Sequence, residues 1–195
     1  MEKIFKELCT RLFKELKNDE LLTLSFSGEN SQFIRLNNAS IRQTGLVDDA
    51  TLGLKFIANK RNCEGSITVS GNHDIDMARG ATEIQRMRSE AQDILEDPFL
   101  VIPTNAGSSR EVKAAASLGF DDAVDALLPV MEGVDLVGIF SNGRMYRGNA
   151  NSKGQHHWFE TESHCLDYSL VTSDHQMVKG TYAGTDWDQE AYENY

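Results

Sequence analysis

The hydrophobic residues at the start of the chain recur at intervals of three and four positions, with lysines and glutamates between them. This spacing predicts an amphipathic helix from Ile4 to Leu16, ended by Asn18-Asp19. From Leu22 the pattern changes to an alternation of apolar and polar residues, which is typical of half-buried strands. The predicted strands cover residues 22–27, 32–36, 41–47, 52–58 and 63–70, with turns at 28–30, 37–38, 48–49 and 59–62.

The alternation within residues 52–58 places Leu52, Leu54 and Phe56 on one face, and we expect that face to pack against the amino-terminal helix. Apolar residues then return to helical spacing over residues 75–95, which predicts the longest helix of the chain. Prolines at positions 98 and 103 end that pattern. We therefore expect residues 98–119 to form a connecting segment.

The second half of the chain repeats the order of a helix followed by strands. Asp121 or Asp122 is suited to cap a short helix that Pro129 kinks or closes. The apolar run 136–140 predicts a strand buried on both faces, and Asn142-Gly143 predicts a type I′ turn into a neighbouring strand. The remaining predictions are a return strand at 144–147, a loop at 148–154, and strands at 155–162, 166–170 and 176–182.

These elements predict an α+β fold in which antiparallel β-meanders pack against a few helices. We expect residues 1–97 to hold a helix, a meander and the long helix, and residues 120–184 to hold a helix and a second meander. Together they are predicted to make one continuous structural unit. Residues 185–195 form an acidic tail without a clear end signal, which we interpret as a truncated continuation.

The composition indicates an ordinary globular protein, with 40% hydrophobic and 25% charged residues. Its formal net charge of −11 opposes electrostatic binding to nucleic acids and to anionic membranes, so we expect neither as a partner. No segment resembles a signal peptide or a membrane span, which favours a cytoplasmic location. Three widely separated cysteines without a CxxC pair predict neither disulfides nor a cysteine-rich metal site.

A cluster of histidines and glutamates is the best candidate for metal binding. It lies on a predicted strand and turn, where adjacent residues such as His156 and His157 point to opposite faces, so the spacing argues against a shared ion. Nucleophilic catalysis is also unsupported, because Ser141 lacks the G-x-S-x-G setting and no glycine spacing matches a phosphate-binding loop. The members of the cluster are His156, His157, His164, Glu160 and Glu162.

Basic residues are scarce, so Arg35 and Arg42, which flank Asn37-Asn38, attract attention together with Arg144 and Arg147 as a possible recognition patch. One interpretation is that they keep sheet edges soluble or pair with carboxylates. The alternative is that their guanidinium groups bind a peptide carboxylate or an acidic partner. Trp158 and Trp187 are predicted to pack in a core or an interface. The candidate peptide- or partner-binding residues are Arg35, Asn37, Asn38, Arg42, Gln43, Arg144, Arg147 and Asn149.

Two long stretches and one short one resemble the amino-terminal half of the TldD/PmbA family, whose PmbA members are also called TldE and which is also described as modulator of DNA gyrase. The long stretches are FIRLNNASIRQTGLVDDATLGLKFIANKR from Phe33 and VGIFSNGRMYRGNANSKGQHHWFETES from Val137. The short one is KGTYAG from Lys179. The resemblance extends over nearly the whole chain in matching order.

The resemblance implies a role in a peptidase complex. In that family a TldD-type subunit holds zinc or iron in an H-E-x-x-x-H helix and pairs with a PmbA-type subunit to process or degrade unfolded peptides. This sequence contains no such motif, so no catalytic or metal residue is carried over and no cofactor is expected in this segment. The expected partners are a TldD-type subunit, a second copy of the chain, and an unfolded peptide bound by strand addition.

Two other functions stay open at this point. The chain could be an acidic, non-enzymatic binding module that modulates gyrase, or a stand-alone metallohydrolase that uses His156, His157 and His164. Family chains are about twice as long as this one, so we interpret the sequence as part of a longer chain.

Overall fold

The computed structural model describes residues 1–195. Its helices are α1 (Glu2–Leu12, continued by a 3-10 turn at Phe13–Glu15), α2 (His73–Glu90), α3 (Ala123–Met131) and α4 (Gln189–Glu193). Its strands are β1 (Leu21–Asn37), β2 (Ser40–Ala58), β3 (Arg61–Thr68), β4 (Ser108–Lys113), β5 (Asp135–Asn151), β6 (His156–Val171) and β7 (Met177–Gly184). None of the helices has the length and apolar character needed to cross a membrane.

The seven strands form one sheet in the order β3-β2-β1-β5-β6-β4, and β7 also pairs with β6. β2 and β3 are antiparallel, with Phe56 opposite Cys63. β6 and β7 are antiparallel as well, with Leu166 opposite Tyr182. The predicted α+β class with meander-like strand order is confirmed.

Three predicted turns are wrong, because the strands continue through them. β1 runs through residues 28–30, β2 through 48–49 and β5 through 142–143. At Asn142 the side chain donates a hydrogen bond to the Leu118 carbonyl over 2.6 Å. Gly143 has φ +146°, and a Cβ there would lie 2.4 Å from the carbonyl oxygen of Asn30. The Asn-Gly pair therefore serves a close approach of β1 and β5 rather than a hairpin.

The predicted loop at 148–154 is also wrong in its bounds. β5 continues to Asn151, whose N–H donates to the Gln155 carbonyl over 3.0 Å. The reversal is confined to Ser152, Lys153 and Gly154, where φ of Gly154 is +100°. The two strands predicted at 155–162 and 166–170 are one strand, β6.

Two segments hold more structure than the sequence predicts. The connecting segment 98–119 contains the exposed strand β4. The acidic tail contains α4, and the buried Tyr192 of α4 donates its hydroxyl to the Leu127 carbonyl over 3.2 Å. The acidic sequence of the tail does not predict this contact, because the contact depends on a single aromatic side chain.

The chain divides into two compact units, each assembled from three stretches. Unit 1 comprises Met1–Gly28, Asp49–Val112 and Tyr146–Glu160, and unit 2 comprises Glu29–Asp48, Lys113–Met145 and Thr161–Tyr195. β1, β2, β4, β5 and β6 contribute residues to both. The units therefore do not coincide with the sequence ranges 1–97 and 120–184.

The core of unit 1 lies between its strands and helices α1 and α2. Phe5 and Leu8 of α1 share a buried cluster with Leu52 and Phe56 of β2, which confirms the predicted packing of that face. The Asn72 side chain accepts hydrogen bonds from the N–H groups of the first helical turn and so fixes the start of α2. That helix ends earlier than predicted, at Glu90.

The core of unit 2 lies between α3 and its strands. Leu127 and Met131 of α3 pack with Leu36, Phe140 and Leu166. Pro129 lies inside α3, and the helix ends two residues later at Met131.

Candidate functional site

A groove of about 360 Å³ opens on unit 2, and we call it the unit 2 groove. It combines residues of the β1–β2 hairpin with residues of β5, β6 and β7. Three of the predicted binding residues line it, namely Arg35, Asn37 and Arg42. The full lining is Arg35, Leu36, Asn37, Arg42, Val137, Gly138, Ile139, Asp167, Tyr168, Ser169 and Lys179.

The apolar part of this groove comes from β5. Val137 is 48% exposed and Ile139 is 40% exposed, so the strand predicted to be buried on both faces is buried on one face only. Leu136 and Phe140 point the other way into the unit 2 core. Strand alternation explains the difference, because a run of apolar residues puts every second side chain on the solvent face.

The charges of the unit 2 groove are mostly positive. Arg35 and Arg42 are exposed, and Arg35 lies over the ring of Phe33 and donates to Gln43 Oε1 over 3.3 Å. Lys179 pairs with Asp167 over 3.1 Å. With one carboxylate against three cations, the groove is a positive region in a chain of net charge −11.

The carboxyl group of Asp167 is held ionised by its neighbours. Hydrogen bonds from Lys179 and from the Thr181 hydroxyl, the latter 2.9 Å long, lower the pKa of Asp167 below its ordinary value. Lys179 is therefore partly neutralised, whereas the guanidinium group of Arg42 has no ion-pair or hydrogen-bond partner within the chain. The arginines are the groups available to an anionic ligand.

Two of the predicted binding residues, Asn38 and Gln43, belong to the β1–β2 hairpin but do not line the unit 2 groove. Asn38 and Ala39 adopt positive φ angles of 52° and 49°, and the Ala39 N–H donates to the Leu136 carbonyl over 3.1 Å. Asn38 therefore forms the turn, and Ser40 donates to its carbonyl. Gln43 is exposed on β2 and contributes through its bond to Arg35.

Arg147 and Asn149 lie on unit 1, in a second groove of about 370 Å³ that we call the unit 1 groove. Arg147 donates to the Tyr146 carbonyl over 2.8 Å, and Asn149 accepts from Gln155 over 3.0 Å. The other polar side chains of this groove are those of Ser25, Ser27, Ser109, Glu111 and His157. The predicted binding residues are thus divided between two grooves.

A serine and a histidine meet in the unit 1 groove. Ser109 Oγ lies 2.8 Å from His157 Nδ1. Sequence reasoning missed this pair because 48 residues separate its members and Ser109 stands in the segment predicted to be a connection. Sequence reasoning also missed Asp167 and Lys179, whose pairing depends on the β6–β7 register.

Arg144 lines neither groove. Its guanidinium group binds Glu162 on β6, with Nε 2.7 Å from Oε1, and Glu162 also accepts from the Ser117 hydroxyl. This is a cross-strand ion pair within unit 2, on a carboxylate whose side chain is 16% exposed. Arg144 therefore pairs with a carboxylate of the neighbouring strand β6.

The histidine cluster does not assemble. His156 packs on Phe5 with ring centroids 5.3 Å apart, and burial lowers the pKa of His156. His164 stacks on Tyr182 at 5.5 Å, and burial lowers its pKa as well. No three His, Cys, Asp or Glu side chains lie close enough together to hold a metal ion. The residues present do not fit a zinc or iron site, so we derive no metal-dependent step for this chain.

No protein-family model and no curated protein sequence matches the chain. Solved structures do match it. TldE from Thermococcus kodakarensis superimposes with a TM-score of 0.73 at 13% identity, covering 98% of this chain and 46% of that one. A candidate modulator of a DNA gyrase from Thermotoga maritima superimposes with a TM-score of 0.68 at 14% identity, covering 97% of this chain and 46% of that one. A candidate modulator of DNA gyrase from Bacteroides thetaiotaomicron superimposes with a TM-score of 0.62 at 15% identity, covering 95% of this chain and 45% of that one.

These similarities establish a shared fold over almost the whole chain, in agreement with the family resemblance seen in the sequence. The chain spans about half the length of the solved structures that it matches, at 46% of the first two.

Proposed function

We propose that this chain is a non-catalytic, TldE-like component of a TldD/TldE-type metallopeptidase complex. In this proposal its unit 2 groove binds an extended, unfolded peptide, and a TldD-type partner supplies the metal and the bond cleavage. The likeness in fold to TldE over 98% of the chain supports the assignment to this kind of complex.

The observation that carries the proposal is the composition of the unit 2 groove. Val137 and Ile139 offer exposed apolar surface, and the exposed side chains of Arg35 and Arg42 stand beside it. Guanidinium groups form paired, charge-assisted hydrogen bonds with carboxylates. A peptide with an acidic side chain or a free carboxyl terminus satisfies both parts of the groove.

The groove contributes binding and orientation. An extended peptide loses conformational entropy when it is held along the groove, and contacts with Arg35 and Arg42 offset that cost. Holding the peptide in an extended form also suits a substrate that has no fold of its own. The proposal assigns no proton transfer and no nucleophile to this chain.

The test uses the double substitution Arg35→Ala with Arg42→Ala and the matched control Arg11→Ala, an exposed arginine on α1. Fluorescence anisotropy with a labelled, unstructured acidic peptide should show at least about tenfold weaker binding for the double variant, since charged hydrogen bonds are involved. The control should bind like the wild type. Equal affinity of all three proteins would remove the groove from the proposal.

A second experiment addresses the complex. The wild-type chain and a TldD-type subunit from the same genome should elute together in size-exclusion chromatography, and the mixture should cleave the peptide. The double variant should still elute with the subunit but should show a raised KM. Absence of a joint peak would contradict the assignment to this complex.

A further inference from the structure

The charges of the unit 2 groove are separated by strand. The sheet order places β5 between β1 and β6, with β2 on the far side of β1. The residues concerned are Arg42 on β2, Arg35 on β1, Val137 and Ile139 on β5, and Asp167 on β6. A line drawn across the strands therefore runs from two cations over an apolar surface to a carboxylate.

Contacts between neighbouring strands fix this arrangement. The Ala39 N–H donates to the Leu136 carbonyl over 3.1 Å, which places the end of β1 beside the start of β5. A Cβ at Gly138 would lie 2.8 Å from the Asp167 carbonyl oxygen, so the middle of the apolar surface lies next to Asp167. The two apolar residues on either side of Gly138 therefore separate Asp167 from the arginines.

The floor of the groove offers side chains rather than free backbone groups. β5 has a neighbouring strand on each edge, so its N–H and C=O groups are already paired within the sheet. Strand addition needs an unpaired edge, and the centre of this groove has none. A ligand that crosses the strands is therefore recognised by the charged side chains at the two ends and by the apolar surface between them.

We propose that the unit 2 groove binds short peptides by both of their free ends, an inference that rests on the proposed function. The terminal carboxylate of the peptide pairs with Arg35 and Arg42, and its terminal ammonium group pairs with Asp167. The side chains of the peptide cover Val137 and Ile139. The favoured ligand is therefore a zwitterionic tripeptide with apolar side chains.

The width of the groove sets the length of the peptide. Neighbouring strands lie about 4.8 Å apart, so the two spacings from β1 to β6 make about 10 Å. An extended chain advances about 3.4 Å per residue, so a tripeptide spans about 10 Å. Both ends of a tripeptide therefore reach their charged partners, whereas the amino end of a longer peptide extends beyond Asp167.

The carboxylate of Asp167 is accessible to a ligand. Its side chain is 42% exposed, and that of its partner Lys179 is 69% exposed. The Thr181 hydroxyl donates to Oδ1 over 2.9 Å, and Lys179 Nζ lies 3.1 Å from Oδ2. A carboxylate accepts about four hydrogen bonds, which leaves capacity for a further donor. An ion pair as exposed as this one contributes little to stability, so a ligand ammonium group can also displace Lys179.

The charges also set the direction of the peptide. Two guanidinium groups favour a carboxylate at the β1–β2 end, because they bind it by paired, charge-assisted hydrogen bonds. A reversed peptide would place its ammonium group against Arg35 and Arg42 and its carboxylate against Asp167. Like charges would then meet at both ends, which disfavours the reversed orientation.

Isothermal titration calorimetry with the full chain and trileucine tests the proposal. Trileucine should bind at least about tenfold more tightly than N-acetyl-trileucine or trileucine amide, because each modification removes one charged contact. Acetylation of a hexapeptide of alternating serine and leucine should leave its affinity unchanged, because its amino end lies beyond the groove.

The variant Asp167→Asn tests which side chain recognises the amino end. It should bind trileucine at least about tenfold more weakly than the wild type does and should bind N-acetyl-trileucine equally well, so the two changes are not additive. Asp174→Asn, at an exposed position outside the groove, is the matched control and should bind both peptides like the wild type. Circular dichroism verifies that each variant is folded.

Three outcomes would overturn this inference: no binding of trileucine, equal affinity for the free and acetylated tripeptides, or an Asp167→Asn protein that still distinguishes them. The proposed function survives all three if the double substitution of Arg35 and Arg42 weakens binding of the longer acidic peptide. A double variant that binds both the tripeptide and the acidic peptide like the wild type would instead remove the groove from the proposed function.

Discussion

Gly80 of α2 lies directly against the fully buried side chain of Leu12 on α1, where a Cβ at position 80 would come within 2.7 Å of Leu12 Cδ2. The two helices of unit 1 therefore pack closely together at a residue without a side chain. Glycine in a helix interior ordinarily costs about 1 kcal/mol relative to alanine. At position 80 the absence of a side chain allows close packing against Leu12.

We expect Gly80→Ala to destabilise the protein by about 1 kcal/mol, because overpacking of a tight core outweighs the gain in helix propensity. Urea unfolding followed by circular dichroism gives the free energy of unfolding. Thr82→Ala, at an exposed position of the same helix, should leave it within about 0.5 kcal/mol of the wild type. A Gly80→Ala protein more stable than the wild type would contradict the packing argument.

The second prediction concerns the fully buried carboxylate of Asp76. It accepts hydrogen bonds from Ser70 N (2.8 Å), Ser70 Oγ (2.8 Å) and Gly71 N (3.0 Å), and so fixes the connection between β3 and α2. Asp76→Ala leaves these donors unpaired and should cost about 3 kcal/mol of unfolding free energy. The exposed Asp74 is the matched control, and Asp74→Ala should cost less than about 1 kcal/mol. Similar costs for the two variants would show that the buried bonds are dispensable.

The third prediction concerns pH and the pair formed by Glu20 and Arg88. Arg88 Nε lies 2.6 Å from Glu20 Oε1, and the two side chains are 11% and 8% exposed. Burial acts to raise the pKa of Glu20, but the hydrogen bonds from Arg88 and from the Lys17 N–H outweigh it, so the pKa lies below the ordinary 4.5. Because the folded-state pKa is the lower one, the contribution of the pair to stability is present above pH 4.5 and is lost as the pH falls through the folded-state value.

Glu20→Gln should therefore lower the free energy of unfolding by about 2 kcal/mol at neutral pH, somewhat less than for a fully buried pair. The difference from the wild type should shrink in urea titrations performed below pH 4.5. Glu132→Gln, at an exposed position, should show no such convergence. A difference that stays constant with pH would mean that charge is not the cause.

The fourth prediction tests the electrostatics of the unit 2 groove. Lys179 gives the largest of the effects that lower the pKa of Asp167. Lys179→Ala should move that pKa back toward its ordinary value, although Thr181 keeps part of the shift. Carboxyl-detected NMR titration measures the change. Lys55→Ala, which removes a cation paired with Glu64 at 3.3 Å, should leave the titration of Asp167 unchanged.

Local pattern was sufficient for part of this fold. The helical spacing that begins at Ile4 and the alternation through Leu52, Leu54 and Phe56 predicted both α1 and the face on which it packs. Asn142-Gly143 was misinterpreted, because a turn signal in sequence does not reveal that Asn142 is buried and bonded to Leu118. Gly143 allows two long strands to approach closely, whereas rules based on local sequence interpret an Asn-Gly pair as a hairpin turn.

The candidate site was also predictable only where its residues are close in sequence. Arg35 and Arg42 lie on either side of one hairpin, so their proximity followed from local sequence. Asp167 and Lys179 join them through the β6–β7 pairing and the strand order, which depend on contacts far apart along the chain. Arg147 and Asn149 fall in unit 1 because β5 supplies both units.

The stacking of Phe5 on Trp158, with ring centroids 5.8 Å apart, has a consequence for biosynthesis. The first helix leaves the ribosome long before the indole that completes its hydrophobic environment, since 153 positions separate the two residues, from 158 back to 5. During translation the nascent amino-terminal segment therefore exposes apolar surface, and chaperones bind such surface. Closure of this core is a late event, set by the emergence of β6.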